Sequence, residues 1–145
     1  MKTYNAGTHL GLLLTRATLG GYLMLAGWGK VTTELDKGIG YFYKENFLGL
    51  APDWLPGWFA APYGYALPWL ELLVGGMLVL GLFTRFAAFL ASGTMAVAYF
   101  MVHAPQSLYP ILNGGELAAL YSFVFVYLAA AGPGPISIDR IIGRG

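Results

Sequence analysis

"PWLELLVGGMLVLGLFTR", Pro68 to Arg85, decides what kind of protein this is. Before the closing Thr-Arg its one charged side chain is the carboxylate of Glu71. A stretch this apolar belongs in lipid, and a carboxylate near its start needs a partner or a purpose. The rest of the chain agrees. Of 145 residues, 57% are hydrophobic, 16% aromatic and 10% charged, against about 25% charged in ordinary soluble domains. The apolar runs are too long and too many for a soluble core of this size to hide.

Four segments reach or approach the roughly 20 residues that about 30 Å of hydrocarbon demands. They run over about 9–30, 65–83, 85–103 and 115–131. In lipid every backbone polar group must be satisfied within its own helix. The expected fold is therefore all-α: an integral membrane four-helix bundle of up-down topology, forming a single transmembrane domain over 1–145. At the N-terminus, Lys2 is the only early charge and Arg16 interrupts the apolar region; with no small-residue cleavage site following, this reads as an uncleaved first span. Lys2, Arg85, Arg140 and Arg144 fall on the side of the termini, with Arg16 just inside it. Lys30, Lys37 and Lys44 fall opposite, offset by acids that count for little, so both termini are expected to be cytoplasmic.

The long connection, 31–64, is aromatic rather than polar: Tyr41, Phe42, Trp54, Trp58 and Phe59 stand out, with Pro52, Pro56 and Pro62 against one continuous helix. It is expected on the outer face, as a short amphipathic helix near 32–47 followed by a proline-broken cap. It reads as an interfacial belt, as a lid over a hydrophobic ligand, or as a docking face. Gly7, Gly11 and Thr15, and likewise Ala88, Ser92 and Ala96, form four-residue stripes of small side chains suited to close packing inside the bundle or between copies.

Up-down topology carries Lys30, Glu71, His103 and Glu116 to the outer end together, beneath the aromatic segment. Each also has a structural explanation. Glu116 follows Asn113 at capping-box spacing, Glu71 lies in a first turn after Pro68, His103 sits at a helix C-terminus, and Lys30 can snorkel. At the opposite end Arg16 and Arg85 are expected to pair with Asp139. His9 and His103 lie at opposite depths and cannot share a haem. A zinc site from Glu71, His103 and Glu116 fits its carboxylate-rich donor set poorly, so no metal is assigned. With no cysteines, thiol chemistry and iron–sulfur ligation are excluded. A net charge of +1 without a basic stripe excludes nucleic acid. "TRATLGGYLMLAGWGK" and "TRFAAFLASGTMAVAYFMVH" echo each other, each followed after a loop by Glu-Leu, in the pattern of a duplicated unit.

"LLLTRATLGGYLMLAGWGKV", "LELLVGGMLVLGLFTRFAAFLAS", His103, "GGELAALY" and "GPGPISIDRII" resemble the DoxX family of small four-helix bacterial membrane proteins. That family is similar to the small subunit of a thiosulfate:quinone oxidoreductase. The resemblance implies an inner-membrane subunit of a quinone-linked oxidoreductase, dependent on partner chains or a homo-oligomer rather than catalytic alone. It places Glu71, Arg85, His103 and Glu116 at the family's recurring polar positions and makes a quinone the expected cofactor. The alternative is a non-catalytic accessory or scaffold subunit of a larger complex.

Overall fold

The computed structural model describes residues 6–50, 53 and 55–144. Every regular element among them is helical. In chain order these are α1 (Ala6–Lys37), a π-helical turn (Tyr43–Phe47), α2 (Gly57–Leu80), α3 (Thr84–His103), the single turn α4 (Pro110–Asn113), α5 (Glu116–Ala131) and the short α6 (Ile138–Ile141). The last turn of α3, Tyr99–His103, is π-helical. α1, α2 and α3 are long and apolar enough to cross a membrane, while α5 is apolar but only 16 residues long.

The connection between the first two long helices is shorter than expected, because both helices run into it. α1 continues past Lys30 to Lys37, so the segment after 31 is its last turns rather than a separate amphipathic helix. α2 begins directly after Pro56, whose extended backbone (ψ 134°) sets the helix start, and it carries Pro62 and Pro68 within it. Each proline forfeits one backbone hydrogen bond, a loss that a helix packed among neighbours absorbs. Pro52 and Trp54 lie outside the described residues.

α1 and α2 form one antiparallel pair and α3 and α5 another, with α2 against α3 between them. The first pair is set by glycine. A Cβ on Gly20 would lie 2.7 Å from Leu78 Cβ, and one on Gly27 would lie 2.8 Å from the Glu71 carbonyl carbon. Gly75 likewise faces the backbone of Met24. In lipid, where apolar side chains gain little by leaving their surroundings, such backbone approach is a principal source of helix association. The expected Gly7–Gly11–Thr15 stripe does not do this: nothing stands within 4 Å of a Cβ on Gly11, and Gly7 is exposed. In the other pair, Ala88 is fully buried and Ser92 meets Ser122 at 3.3 Å, so that stripe is internal packing. One apolar core, including Leu23, Leu78, Ala87, Ala91, Phe125 and Leu128, is shared by all four long helices.

Candidate functional site

The close approach at Gly27 decides what happens one turn later. With α1 and α2 nearly touching, the Lys30 ammonium meets the Glu71 carboxylate at 2.5 and 2.6 Å, one distance to each oxygen. The Glu71 side chain is 5% exposed and that of Lys30 29%. Two charges taken out of water roughly break even on desolvation against attraction, but removing one partner typically costs about 3–5 kcal/mol. The Phe42 ring lies 5.2 Å from the ammonium, adding a cation–π contact on its open side.

Phe42 is brought there by a residue that sequence reasoning passed over. Glu34, 2% exposed, accepts hydrogen bonds from the backbone amides of Gly40 and of Phe42, the latter at 2.6 Å. These bonds fold the chain after α1 back over Lys30. Gly40 makes the fold possible, since its φ of 89° and its contact with the Tyr65 ring leave no room for a side chain. The aromatic segment then packs on α2: Tyr43 stacks on Tyr65 at 4.7 Å and Phe47 lies 5.6 Å from Tyr63, which Phe59 flanks at 5.5 Å from one turn earlier in α2.

Beneath this cap lies a cavity of about 210 Å³, bordered by Lys30, Phe42, Phe47, Tyr63, Glu71 and Met101 among others. Its lining is apolar apart from Lys30, Glu71, Asn46, Thr94 and the Tyr63 hydroxyl. Thr94 is already engaged, donating to the Leu90 carbonyl at 3.0 Å. The buried Tyr63 hydroxyl makes no hydrogen bond of ordinary length, although the Thr94 hydroxyl stands near enough to interact with it; a group in the cavity that accepts from Tyr63 supplies a bond whose lack costs about 1–3 kcal/mol. Lys30 has an N–H beyond the two directed at Glu71.

The expected outer-end cluster is thus divided. Lys30 and Glu71 meet, whereas His103 Nδ1 lies 3.1 Å from the Asn113 carbonyl and its ring stacks against Tyr99. Glu116 is exposed at the start of α5 without making a capping box; Asn113 instead accepts from the Gly115 amide and donates to the Tyr99 hydroxyl and the Ser107 carbonyl. Among the described residues no three His, Cys, Asp or Glu side chains come together as a metal site. Of the other aromatics, Tyr41 takes the Lys37 ammonium at 4.5 Å over its ring, Phe59 is part of the cap, and Trp58 projects outward at 79% exposure.

At the end bearing the termini, the expected pairing of Arg16 or Arg85 with Asp139 is replaced by three caps on backbone. Arg16, 2% exposed, donates to the Pro133 and Ile136 carbonyls at 2.8 and 2.7 Å, in a space that Gly81 leaves open. Arg85 donates to the carbonyls of Ala129 and Ala130 at the end of α5. Asp139 accepts from the amides of Phe83 and Thr84 at 2.7 and 2.8 Å, closing the N-terminus of α3 and holding Phe83 in a left-handed conformation (φ 47°). Burial pushes the Asp139 carboxyl up, but the Thr84 and Phe83 amides and the charge of Arg144 outweigh it and hold the group below its usual range. Asp139 thus takes the free amides at a helix start, and it acts on the Arg16 guanidinium through its charge without a direct ion pair.

The family model described as DoxX matches residues 11–104. Two relatives from Haemophilus influenzae, each described as an uncharacterized protein, align over 74 residues. The first is 47% identical, covering 49% of this chain and 55% of its own. The second is 31% identical, covering 51% of this chain and 49% of its own. The chain thus spans about half the length of the curated relatives it matches. No solved structure matches it.

Proposed function

The chain belongs to the DoxX family, and from that premise we propose that it is a membrane subunit that holds a quinone head group in the cavity under its aromatic cap. The observation that carries this reading is the composition of that cavity. An apolar space of about 210 Å³ holds an ammonium with an N–H to spare, a carboxylate and a tyrosine hydroxyl that makes no hydrogen bond of ordinary length. A ring bearing carbonyl oxygens needs donors of this kind and an apolar surround. When bound, a quinone supplies two-electron, two-proton redox chemistry; electrons come from a redox centre on a partner chain. Lys30 and Tyr63 donate hydrogen bonds to the carbonyl oxygens. Glu71 holds the ammonium in place and stands within one proton transfer of it. Phe42 and Phe47 border the cavity beside the pair, in which the Glu71 side chain is 5% exposed and that of Lys30 keeps 29% exposure.

In this reading α5 crosses with the other three long helices as an up-down four-helix bundle in a bacterial inner membrane, both termini cytoplasmic. The placement of Arg85, Arg140 and Arg144 at one end supports that orientation. Quantifying quinone in lipid extracts of the protein purified in mild detergent tests the site. About one quinone per chain is expected, falling at least tenfold in Glu71→Gln and in Tyr63→Phe. A protein that purifies without quinone and binds none when it is added would contradict the reading.

A second reading, an accessory subunit, draws on apolar side chains at the capped end: Trp58, Ile111 and Leu112 are 79%, 76% and 72% exposed. A stoichiometric partner chain recovered without quinone would favour it.

A further inference from the structure

We infer that the ligand carries a long apolar tail and that this tail leaves the head cavity sideways, through the wall made by Val97 and Met101, into a groove on the outer side of α3. This inference rests on the quinone reading and adds where the rest of the molecule goes. At about 210 Å³ the head cavity falls below the roughly 300–1,000 Å³ of sites that enclose whole drug-sized ligands. It therefore takes a ring and not a lipid. Beside it lies a second, more open space of about 560 Å³, lined by Leu55, Phe59, Ala96, Phe100, Ala104 and the two shared residues Val97 and Met101, with Pro105 at its end.

The lining of this groove has no charged side chain and no hydroxyl, so it offers nothing to a head group and everything to an acyl or isoprenoid chain. Val97 and Met101 are one turn apart on α3 and separate the two spaces. Met101 is unbranched and can change rotamer at little cost, which makes it a wall that yields. At this same place α3 widens into its π-helical turn, with the Ala104 amide bonded to the Tyr99 carbonyl at 2.9 Å. Such turns interrupt regular packing and recur at functional sites. Another open space, of about 460 Å³, borders Lys30, Phe42 and Asn46 on the α1 side, but it is lined also by Thr33 and Tyr41 and is more polar than the groove, so the apolar tail takes the lateral wall.

The experiment uses the full chain in lipid nanodiscs and a benzoquinone series bearing no, one or two isoprenoid units, with affinity read by competition. Ala96→Phe and Ala104→Phe each fill the groove from positions that do not border the head cavity. Relative to wild type, each is expected to weaken the two-unit compound at least tenfold while the tail-less compound binds as before. Because partition into lipid is common to all the proteins, the ratio of wild type to variant isolates the groove. Two plugs at separate positions guard against one variant misfolding. Equal ratios across the series in both variants would overturn the groove while leaving the head site standing. Failure of wild type to bind any member would overturn the quinone reading itself.

Discussion

Replacing Glu34 with alanine measures how firmly one carboxylate holds the aromatic cap. Both oxygens accept backbone amides, from Gly40 and Phe42, and the side chain is 2% exposed. Hydrogen bonds to charged groups contribute about 1.5–3 kcal/mol each; at the low end, two of them come to about 3 kcal/mol of local stability. That is roughly a 100-fold change in the equilibrium for opening the cap. Amide hydrogen exchange followed by peptide mass spectrometry over 38–50 reads this directly, as about 100-fold faster exchange at Gly40 and Phe42 with the α5 peptides unchanged. Glu34→Gln, keeping one acceptor oxygen but turning an NH₂ toward the other amide, falls between, at about tenfold. Unchanged exchange at Gly40 and Phe42 in the alanine variant would refute the reasoning. Uniform acceleration through all four long helices would refute it equally, by showing that Glu34 supports the whole fold and not the cap.

Arg16→Lys replaces a fork that reaches two carbonyls with a point donor, and is expected to cost about 2 kcal/mol and to speed tryptic cleavage at Arg140; an unchanged melting temperature would contradict this. Asp139 has a folded-state carboxyl held below its ordinary 3.8, so its contribution is complete above that value and is lost as pH falls through the depressed one. The stability of wild type is therefore expected to hold through neutral pH and drop only below about pH 4, while Asp139→Asn is less stable by about 1–2 kcal/mol at neutral pH, lacks this acid limb and converges with wild type in acid. Gly27→Ala forces a methyl into the Glu71–Leu72 backbone and is expected to lose about 3 kcal/mol or more, whereas Gly21→Ala, with nothing within 4 Å, stays within about 1 kcal/mol of wild type. Equal yields of folded protein from the two would show that the helices can simply part.

Hydrophobic runs and the even alternation of basic ends were enough to expect an all-helical membrane chain and to bring Lys30 and Glu71 to one end. Glu34 escaped because the first helix was ended at Lys30, the first charge after its apolar run. Yet its buried face, Leu12, Arg16, Gly20, Leu23, Gly27, Val31 and Glu34, keeps three- and four-residue spacing throughout, and following that period would have found it. Tyr63 was hidden by Pro62, read as a breaker although α2 accommodates it. The Gly7–Gly11 stripe misled because small-residue spacing says two backbones can approach, not that they do; Gly20 and Gly27, at seven-residue spacing, are the ones that touch. The duplicated-looking hairpins agree at their Thr-Arg starts, where Arg16 and Arg85 both hold carbonyls near the end of α5 or beyond it. They disagree at Glu-Leu: Glu71 lies deep within α2, while Glu116 opens α5.

The Arg16 clasp also bears on how the protein is made. Its carbonyl partners lie 117 and 120 residues further along the chain. The first helix must therefore be inserted carrying a guanidinium whose acceptors have not yet been synthesised, and a charge held within a membrane segment without partners is costly. Until Pro133 and Ile136 are made, water and headgroups are the acceptors open to Arg16, so this clasp closes only when the last part of the chain meets the first.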